Sequence, residues 1–165
     1  MTDITFVVPT EPVGQGRPRA STIGGRVRMY TPPRTKKFHN EVAGTALSEL
    51  QEVFFECPIR VDVLAVMKRP KRLCRKKDPE GLIWNDGTRP DADNIRKAVL
   101  DGLIYHFDDK WVIGGDTLKV FSGKGESGRV VIRITDSIGA VARWQQFYKL
   151  GEDKDEHRRR KRGAW

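Results

Sequence analysis

Two aspartates near the middle of the chain stand two residues apart, directly ahead of a predicted helix. Asp91 and Asp93 follow Arg89-Pro90, and Lys97 comes one helical turn after Asp93. If residues 90–93 are extended, both carboxylates point to the same side, because side chains alternate along an extended chain. Converging carboxylates repel each other unless a cation lies between them, and Mg²⁺ prefers oxygen ligands of this kind. The pair therefore predicts a metal site that acts on phosphate.

A second acidic pair, Asp108-Asp109, follows the predicted helix and can supply a third ligand if the chain folds back. Such a site would hydrolyse phosphodiesters, because a bound metal lowers the pKa of its water and neutralises charge in the transition state. Lys97 would stabilise that charge or position the water. A competing interpretation needs no metal. There Asp93 only caps the helix, Lys97 and Asp101 form an i,i+4 ion pair, and the second acidic pair is a solvated turn.

The charge of the chain is unevenly distributed. The 165 residues include 31 Lys and Arg against 22 Asp and Glu, a net charge of +9. Residues 91–138 hold 7 basic and 8 acidic residues, whereas residues 1–90 and 139–165 have net charges of +6 and +4. A chain that binds phosphate broadly and a cation locally has this distribution. We therefore expect a polyanionic partner such as nucleic acid.

Two basic segments are candidates for contact with a phosphate backbone. One is the Gly-, Pro- and Arg-rich segment 10–35 after the first predicted strand, and the other is a basic loop predicted over residues 68–90. The Gly14-x-Gly16 sequence in the first loop lacks the G-K-[ST] of a phosphate-cradling P-loop, so no nucleotide or other small-molecule cofactor is predicted. The predicted DNA-binding residues are Arg17, Arg19, Lys68, Arg69, Lys71, Arg72, Lys76 and Lys77.

Cysteine usage and hydropathy exclude several classes of protein. Cys57 and Cys74 are isolated and have no paired histidines, which argues against a zinc site. Two free thiols and no signal peptide are typical of a reducing cytoplasm. No apolar run approaches the roughly 20 residues of a membrane span, so no membrane association is expected.

The apolar pattern predicts an α/β (α+β) domain. Strands are expected at residues 4–9 and 59–67, and a hairpin with Gly24-Gly25 at its turn. Helices are predicted from Thr35 to Phe54 and from Asp93, as N-cap, to Ile104. The apolar stripe of the first is Val42, Ala46, Leu50 and Val53, and that of the second is Ile95, Ala98, Val99, Gly102 and Leu103. Short strands at 111–113, 117–121 and 129–134 complete a small mixed β-sheet with two main helices packed on it. Residues 1–138 form this domain, and 139–165 are predicted to be a basic C-terminal extension, a short helix and then a disordered tail.

The pattern D-x-D-N-x-x-K-x-x-x-D-x-L, followed by an acidic pair, resembles the RusA family of Holliday-junction resolvases. The resemblance covers about residues 4–136, is most specific over 89–113, and includes the Gly16-Arg17-Pro18-Arg19 loop and the lysine-rich segment from Pro70 to Lys77. The residues that match the pattern are Asp91, Asp93, Asn94, Lys97, Asp101, Leu103, Asp108 and Asp109.

This resemblance implies a RusA-like fold and a homodimeric endonuclease that nicks four-way DNA junctions symmetrically in DNA recombination and repair. It implies Mg²⁺ as cofactor, with Mn²⁺ able to substitute, and a cytoplasmic, nucleoid-associated location in a bacterial or phage-infected cell. Carried over residue by residue, the metal ligands are Asp91, Asp93 and Asp109, with Lys97 as the essential cation. The stretch from Asp101 to Asp109 is shorter than the family pattern, so Asp108 remains an alternative third carboxylate.

The sequence is also compatible with two other functions. The chain could be a non-catalytic, basic nucleic-acid-binding protein, in which the acidic residues only cap a helix and face solvent. It could also be a metal nuclease for another branched or single-stranded DNA. Loss of cleavage, with binding kept, on replacing Asp91 separates the first of these from an enzyme.

Overall fold

The structure is a computed structural model that describes residues 3–51, 55, 57–85 and 87–136. The predicted C-terminal extension, 139–165, lies outside the described residues. Short 3₁₀ turns occur at Lys71–Leu73 and Asp109–Trp111. The strands and α-helices, in chain order, are β1 (Asp3–Val8), β2 (Arg19–Ile23), β3 (Arg26–Tyr30), α1 (Pro33–Leu50), β4 (Ile59–Met67), β5 (Ile83–Trp84), α2 (Ala92–Leu103), β6 (Val112–Gly114), β7 (Thr117–Phe121) and β8 (Arg129–Asp136).

The main sheet is mixed, as predicted, with strand order β1-β8-β4-β7-β5 and with β6 beside β4. β4 is parallel to β6 and β7 and antiparallel to β8, which in turn is antiparallel to β1. β1, β4 and β7 therefore run in the same direction and end at the same edge of the sheet. The chain that connects β4 to the parallel strands β6 and β7 contains β5 and α2, and α2 runs back across the sheet, from this edge to the opposite one.

One face of the sheet carries the hydrophobic core. Alternate residues of β4, from Ile59 to Ala65, are buried together with Val130, Ile132 and Ile134 of β8. The two helices cover this face. The predicted buried stripe of α2 is confirmed, because its buried residues are Ile95, Ala98, Val99, Gly102 and Leu103. Each large apolar side chain buried in this way contributes about 1.5–3 kcal/mol to folding.

The hairpin is also confirmed. β2 pairs with β3 in antiparallel register, and Gly24 and Gly25 have φ of 58° and 75° at the turn. A two-residue turn with both φ positive matches the twist of the flanking strands, and glycine adopts it without a steric penalty. This hairpin forms a sheet of its own, separate from the main sheet.

Helix boundaries differ from prediction. α1 begins at Pro33, two residues early, because proline is compatible with the first helical position. It ends at Leu50, and residues 52–54, including Val53 of the predicted stripe, lie outside the described residues. The prediction of Asp93 as the N-cap of α2 was wrong: Asp91 is the N-cap, since its carbonyl accepts the first helical hydrogen bond, from Ile95 N at 3.0 Å.

The segment predicted as a basic loop after β4 contains a short strand. β5 pairs with β7 in antiparallel register and adds an edge to the main sheet. Two residues are too few to produce a periodic signal in sequence, so only the partner strand reveals β5. Among the described residues, no helix has the length and apolarity needed to cross a membrane.

Candidate active site and nucleic-acid interface

The loops after β1 and β4 and the first turns of α1 and α2 lie together at the edge where β1, β4 and β7 end. We call this the active edge and the opposite one the far edge. Ligand sites in sheets with parallel strands lie at such an edge, because loops and helix N-termini converge there. Both helices also direct the positive ends of their dipoles toward it. The active edge is therefore suited to an anion.

A groove of about 970 Å³ opens at the active edge, between the loop after β1 and the first turns of the two helices. Its acidic lining residue is Asp91, with Asn94 beside it. Four exposed arginines also line it, and none of them forms an ion pair with another described residue. We call this cavity, with the arginines that line it, the arginine groove. Its arginines are Arg17, Arg19, Arg34 and Arg89.

Close packing holds one wall of the arginine groove. Gln15 N donates to Asn94 O at 2.9 Å, and Gln15 Oε1 lies 3.0 Å from His39 Nε2. A side chain at Gly14 would place its Cβ 2.7 Å from the Cβ of Pro90, so only glycine lets the loop approach α2 this closely. Burial lowers the pKa of His39, with Asp101 opposing the shift, so a neutral imidazole is favoured beside Gln15.

Lys119, on β7, holds the segment from Thr88 to Pro90 that lies beside the groove. Its Nζ donates to Thr88 O at 2.6 Å and to Pro90 O at 2.9 Å. These two bonds tie the backbone on either side of Arg89 and just ahead of Asp91. Charge-assisted hydrogen bonds of this length are stronger than neutral ones. Lys119 thereby fixes the entry to α2, where the predicted carboxylates begin.

The first two predicted carboxylates lie at the start of α2. Asp91 lines the groove, whereas Asp93, in the first turn, is exposed outside its lining. Asp93 is helical, so the expected extended alternation does not apply, but both side chains still belong to the same helix end. Lys97 Nζ lies 3.6 Å from Asp93 Oδ2, with both side chains largely exposed. A surface pair like this contributes at most about 1 kcal/mol.

The second acidic pair differs between its two members. Asp108 caps the 3₁₀ turn by accepting from Lys110 N at 3.0 Å, and it pairs with Lys110 Nζ at 2.8 Å. The hydrogen bond from Lys110 holds the pKa of Asp108 below its ordinary value. Asp109 is exposed and forms no ion pair with another described residue, and its side chain interacts with that of Asp108. This arrangement favours Asp109 over Asp108 as a free ligand.

The expected fold-back of the second acidic pair onto the first does not occur within one chain. α2 is about 18 Å long, and its two ends lie at opposite edges of the sheet. Asp91 and Asp93 are at the active edge, and Asp109 is at the far edge. No three His, Cys, Asp or Glu side chains among the described residues come close enough to hold a metal ion. One chain thus presents two of the three predicted ligands together.

The predicted DNA-binding residues fall into three groups. Arg17 and Arg19 line the arginine groove. In the first part of the predicted loop, residues 68–77, which we call the basic loop, most side chains are exposed at the active edge but outside the groove. The exposed basic residues of that loop from the predicted set are Lys68, Lys71, Arg72, Lys76 and Lys77.

Arg69 requires a correction. Only 5% of it is exposed. Its Nε donates to Ser122 O at 2.7 Å, Nη1 donates to Pro79 O at 2.6 Å, and Nη2 donates to Gly81 O. All three guanidinium nitrogens are therefore engaged by backbone carbonyls, and Arg69 has a structural role instead of the predicted contact with DNA. A buried cation remains stable only when its donors are satisfied in this way.

Sequence reasoning missed three residues of the active edge: Arg34, Arg89 and Lys119. Arg89 directly precedes Pro90-Asp91, so its position beside the acidic motif was a usable signal. Arg34 is separated from that motif by more than 50 residues of chain and Lys119 follows it by almost 30. Their relation to Asp91 exists only after folding.

Comparison with known proteins identifies a relative and a family. A protein of Bacillus subtilis (strain 168), described as uncharacterized protein YqaN, is 35% identical over 139 residues, which cover 81% of this chain and 96% of that protein. The family described as endodeoxyribonuclease RusA matches residues 9–135, a range that includes the arginine groove, the basic loop and both acidic pairs. This chain belongs to the RusA family of endodeoxyribonucleases.

Proposed function

We propose that this protein resolves four-way DNA junctions by metal-dependent, symmetric phosphodiester hydrolysis during DNA recombination and repair in the bacterial cytoplasm. The observation that carries the proposal is the arginine groove around Asp91. Four guanidinium groups that form no ion pair with a described residue line the same groove as the first carboxylate of the family motif. Such groups are free to bind phosphate, and a carboxylate amid them is positioned beside the bound strand.

Binding begins with the groove itself. Guanidinium groups bind phosphate oxygens bidentately, and each neutralised phosphate releases counterions from DNA. The start of α1 adds to this site. The first helical hydrogen bond runs from Lys36 N to Pro32 O, so the amides of Arg34 and Thr35 are not used by the helix, and its first turn has no acidic residue. A helix N-terminus of this kind binds a phosphate group.

Asp91 and Asp93 are proposed to hold Mg²⁺, or Mn²⁺ in its place. Carboxylates are the hard oxygen ligands that these ions prefer, and the pair belongs to one helix end. A metal bound there would supply an acidified water and charge neutralisation at the phosphate. The two carboxylates of one chain are only part of the ligand set, because Asp109 lies at the far edge.

Lys97 contributes a positive charge one turn into α2. Its Nζ is within 3.6 Å of Asp93 and otherwise faces solvent. We propose that it stabilises the negative charge that develops on the phosphate in the transition state. Because two strands must be cut symmetrically, a homodimer with twofold symmetry is the arrangement we propose for the active enzyme.

The test uses the Asp91→Asn variant and a synthetic four-way junction. The expected result is loss of nicking in Mg²⁺ and Mn²⁺ with junction binding kept or tightened, since a negative charge beside phosphate is removed. Glu49→Gln is a matched control. Glu49 is exposed near the end of α1, so this substitution also removes one negative charge, but far from the groove. Wild-type protein that binds junctions and never nicks them in either metal would identify a non-catalytic binder.

Substrate choice needs a separate comparison. Junction, flap, single-stranded and linear duplex DNA of equal length are incubated with wild-type protein and metal. We expect paired cuts in the junction and much slower cleavage of the others. Faster cleavage of flap or single-stranded DNA would assign the enzyme to a different substrate while keeping it a nuclease.

A further inference from the structure

One face of the main sheet carries a row of apolar side chains outside the core. We call it the open face, because both described helices pack on the other one. Val7 pairs with Val131, and Val131 pairs with Leu64. Leu64 in turn pairs with Leu118, so the row crosses four strands in direct register. Val7 and Leu118, at its two ends, are 49% and 53% exposed. An apolar row across a sheet is typical of a surface that another segment covers.

The row lines a shallow cavity of about 330 Å³. Leu64, Leu118 and Val131 form its apolar part, and Asp62 and Arg133 contribute polar atoms beside them. Cavities that hold a bound molecule have volumes of about 300–1,000 Å³, so this one is at the small end of the range. Its size suits one or two large side chains of a docked segment.

The charged residues around the row are paired with one another. Arg133 pairs with Asp3 at 2.6 Å, and Arg60 pairs with both Asp62 and Asp116. A guanidinium with a carboxylate partner is not free to bind phosphate, so the open face is not suited to DNA. These three carboxylates outnumber the two guanidinium groups by one. The face therefore favours an occupant that is apolar and basic.

We propose that residues 139–150 of the same chain dock on the open face. This segment begins three residues after Asp136, the last residue of β8. It contains Arg143 and Lys149 and no acidic residue, which complements the charge of the face. Its apolar spacing predicts a helix with one apolar side, formed by Val141, Trp144, Phe147 and Tyr148.

The chain is long enough for the segment to reach the row. Asp136 pairs with Ile59, so β8 leaves the sheet at the far edge. Leu64, in the row, lies about 17 Å along β4 from that edge. Residues 137–140 span up to about 14 Å when extended, and a helix over residues 141–150 is about 15 Å long. A helix that turns back from the far edge onto the open face therefore covers the row.

Attachment to the same chain favours this segment over a second copy. A short tether gives the attached segment an effective concentration on the order of 1 mM at the face. A second copy has to reach a comparable concentration, or bind much more tightly, to displace it. The tethered segment is therefore the occupant that the geometry supports.

Cross-linking in the full-length chain tests the docking. Tyr148→Cys is combined with Leu118→Cys, after both exposed native cysteines are changed to serine, and a short bifunctional maleimide is added. We expect a cross-link within one chain, located by peptide mass spectrometry. The matched control combines Tyr148→Cys with Leu47→Cys. Leu47 is 66% exposed on α1, which covers the other face, so the control should give several times less product.

Three results of this experiment overturn the proposal. A product that joins two chains would assign the face to a second copy. Equal yields at Leu118 and Leu47 would mean that the extension has no preferred position. Absence of product at both positions would mean that the segment stays away from the sheet.

Trypsin digestion measures the docking without introduced cysteines. Leu118→Glu places a charge in the apolar row, so the bond after Arg143 should be cut several times faster than in the wild-type protein. Leu47→Glu adds the same charge on α1 and should leave that rate unchanged. Circular dichroism checks that both variants are folded. Equal rates in the wild-type protein and the two folded variants overturn the docking.

Docking also has a consequence for DNA binding, and this part rests on the proposed function. A helix that crosses the open face from the far edge ends toward the active edge, and it is followed by five consecutive cations at residues 158–162. We expect Leu118→Glu to bind a four-way junction more weakly than Leu47→Glu does, since an undocked extension no longer holds those cations near the groove. Equal affinities overturn this consequence and leave the docking intact. Wild-type protein that neither binds nor nicks junctions removes the proposed function, whereas the cross-link still decides the docking.

Discussion

The arginine groove and the basic loop are both rich in cations and both lie at the active edge, yet their arginines differ in their partners. In the groove, four guanidinium groups have no ion pair with a described residue. In the basic loop, two of the three arginines have partners. Arg69 is buried against backbone carbonyls, and Arg75 is paired with Asp78 through Nε at 3.1 Å, whereas Arg72 is exposed. Both regions are rich in basic residues, so composition does not distinguish them. The role of each arginine depends on the groups to which it is bonded in the folded protein.

The difference follows from the energetics of desolvation. An exposed, unpaired guanidinium exchanges water for phosphate oxygen when DNA binds, and it loses no internal bond. Arg69 would have to give up three backbone carbonyls and leave them unsatisfied in the interior, which is costly. A cation that stabilises the fold is therefore a poor DNA ligand. Four predictions test this contrast, from the largest effect to the smallest.

Replacement of Arg69 should have the largest effect on stability. Arg69→Met keeps the aliphatic stem but removes the donors to Pro79, Gly81 and Ser122. We expect the free energy of unfolding to fall by about 3 kcal/mol, because buried carbonyls lose charge-assisted hydrogen bonds. Urea denaturation measures this loss. Lys71→Met in the same loop is the control and should change stability by no more than about 0.5 kcal/mol. Equal stability of the two variants would contradict the structural role of Arg69.

Lys119→Met should have the second-largest effect, because it removes the two hydrogen bonds from Nζ to the backbone on either side of Arg89. We expect a stability loss of about 1–2 kcal/mol from the unsatisfied carbonyls of Thr88 and Pro90. Nicking should slow more than junction binding weakens, since the change disturbs the position of the carboxylates and leaves the groove arginines in place. Single-turnover rates and binding constants on the same junction measure the two effects. A variant that loses binding and rate in equal proportion argues against a positioning role.

Arg34→Gln should weaken binding of the junction roughly tenfold, which corresponds to about 1.4 kcal/mol, without lowering stability. It should also reduce the slope of log affinity against log salt by about 1, as expected for the loss of one phosphate contact. Arg72→Gln, in the basic loop, is the comparison. A larger loss for Arg72 than for Arg34 would show that DNA follows the loop instead of the groove.

The smallest effect concerns pH and the wall of the groove. Burial lowers the pKa of His39 in the folded protein, whereas the pKa of an unfolded histidine is about 6.5. As the pH falls through about 6.5, the imidazole is protonated in the unfolded state while it stays neutral in the folded state. The free energy of unfolding should therefore decrease as the pH falls. Wild-type protein should lose more stability between pH 7.5 and 5.5 than His39→Gln does. Identical losses in the two proteins would show that His39 is not the group that titrates.

The periodic spacing of apolar residues was sufficient to predict the longer helices and strands. The buried face of α2 and the alternation in β4 were predicted correctly, because helices and strands bury residues at fixed intervals. The turn at Gly24-Gly25 was predicted for a local reason as well, since few residues tolerate two consecutive positive φ values. β5 was missed because a two-residue strand exists only through its pairing with β7.

The site was predicted less completely than the fold. Asp91, Asp93 and Lys97 are neighbours on one helix, so their spacing alone placed them together. Arg34 comes from a distant part of the chain, and nothing in the local sequence relates it to Asp91. The misassignment of Arg69 has the same origin: its neighbours in sequence are cations and proline, but its partners are carbonyls of residues 79, 81 and 122.

The sequence by itself determined which chemistry this protein carries: clustered carboxylates, a nearby lysine and an excess of arginine, in the spacing of the RusA family. Local geometry is enough for that, because residues within two helical turns cannot be far apart. Only the tertiary structure decided which arginines line the groove beside Asp91 and which one supports the fold. It also placed the second acidic pair at the far edge, because a helix between parallel strands must cross the whole sheet, and so it separated the predicted metal ligands at the two ends of α2.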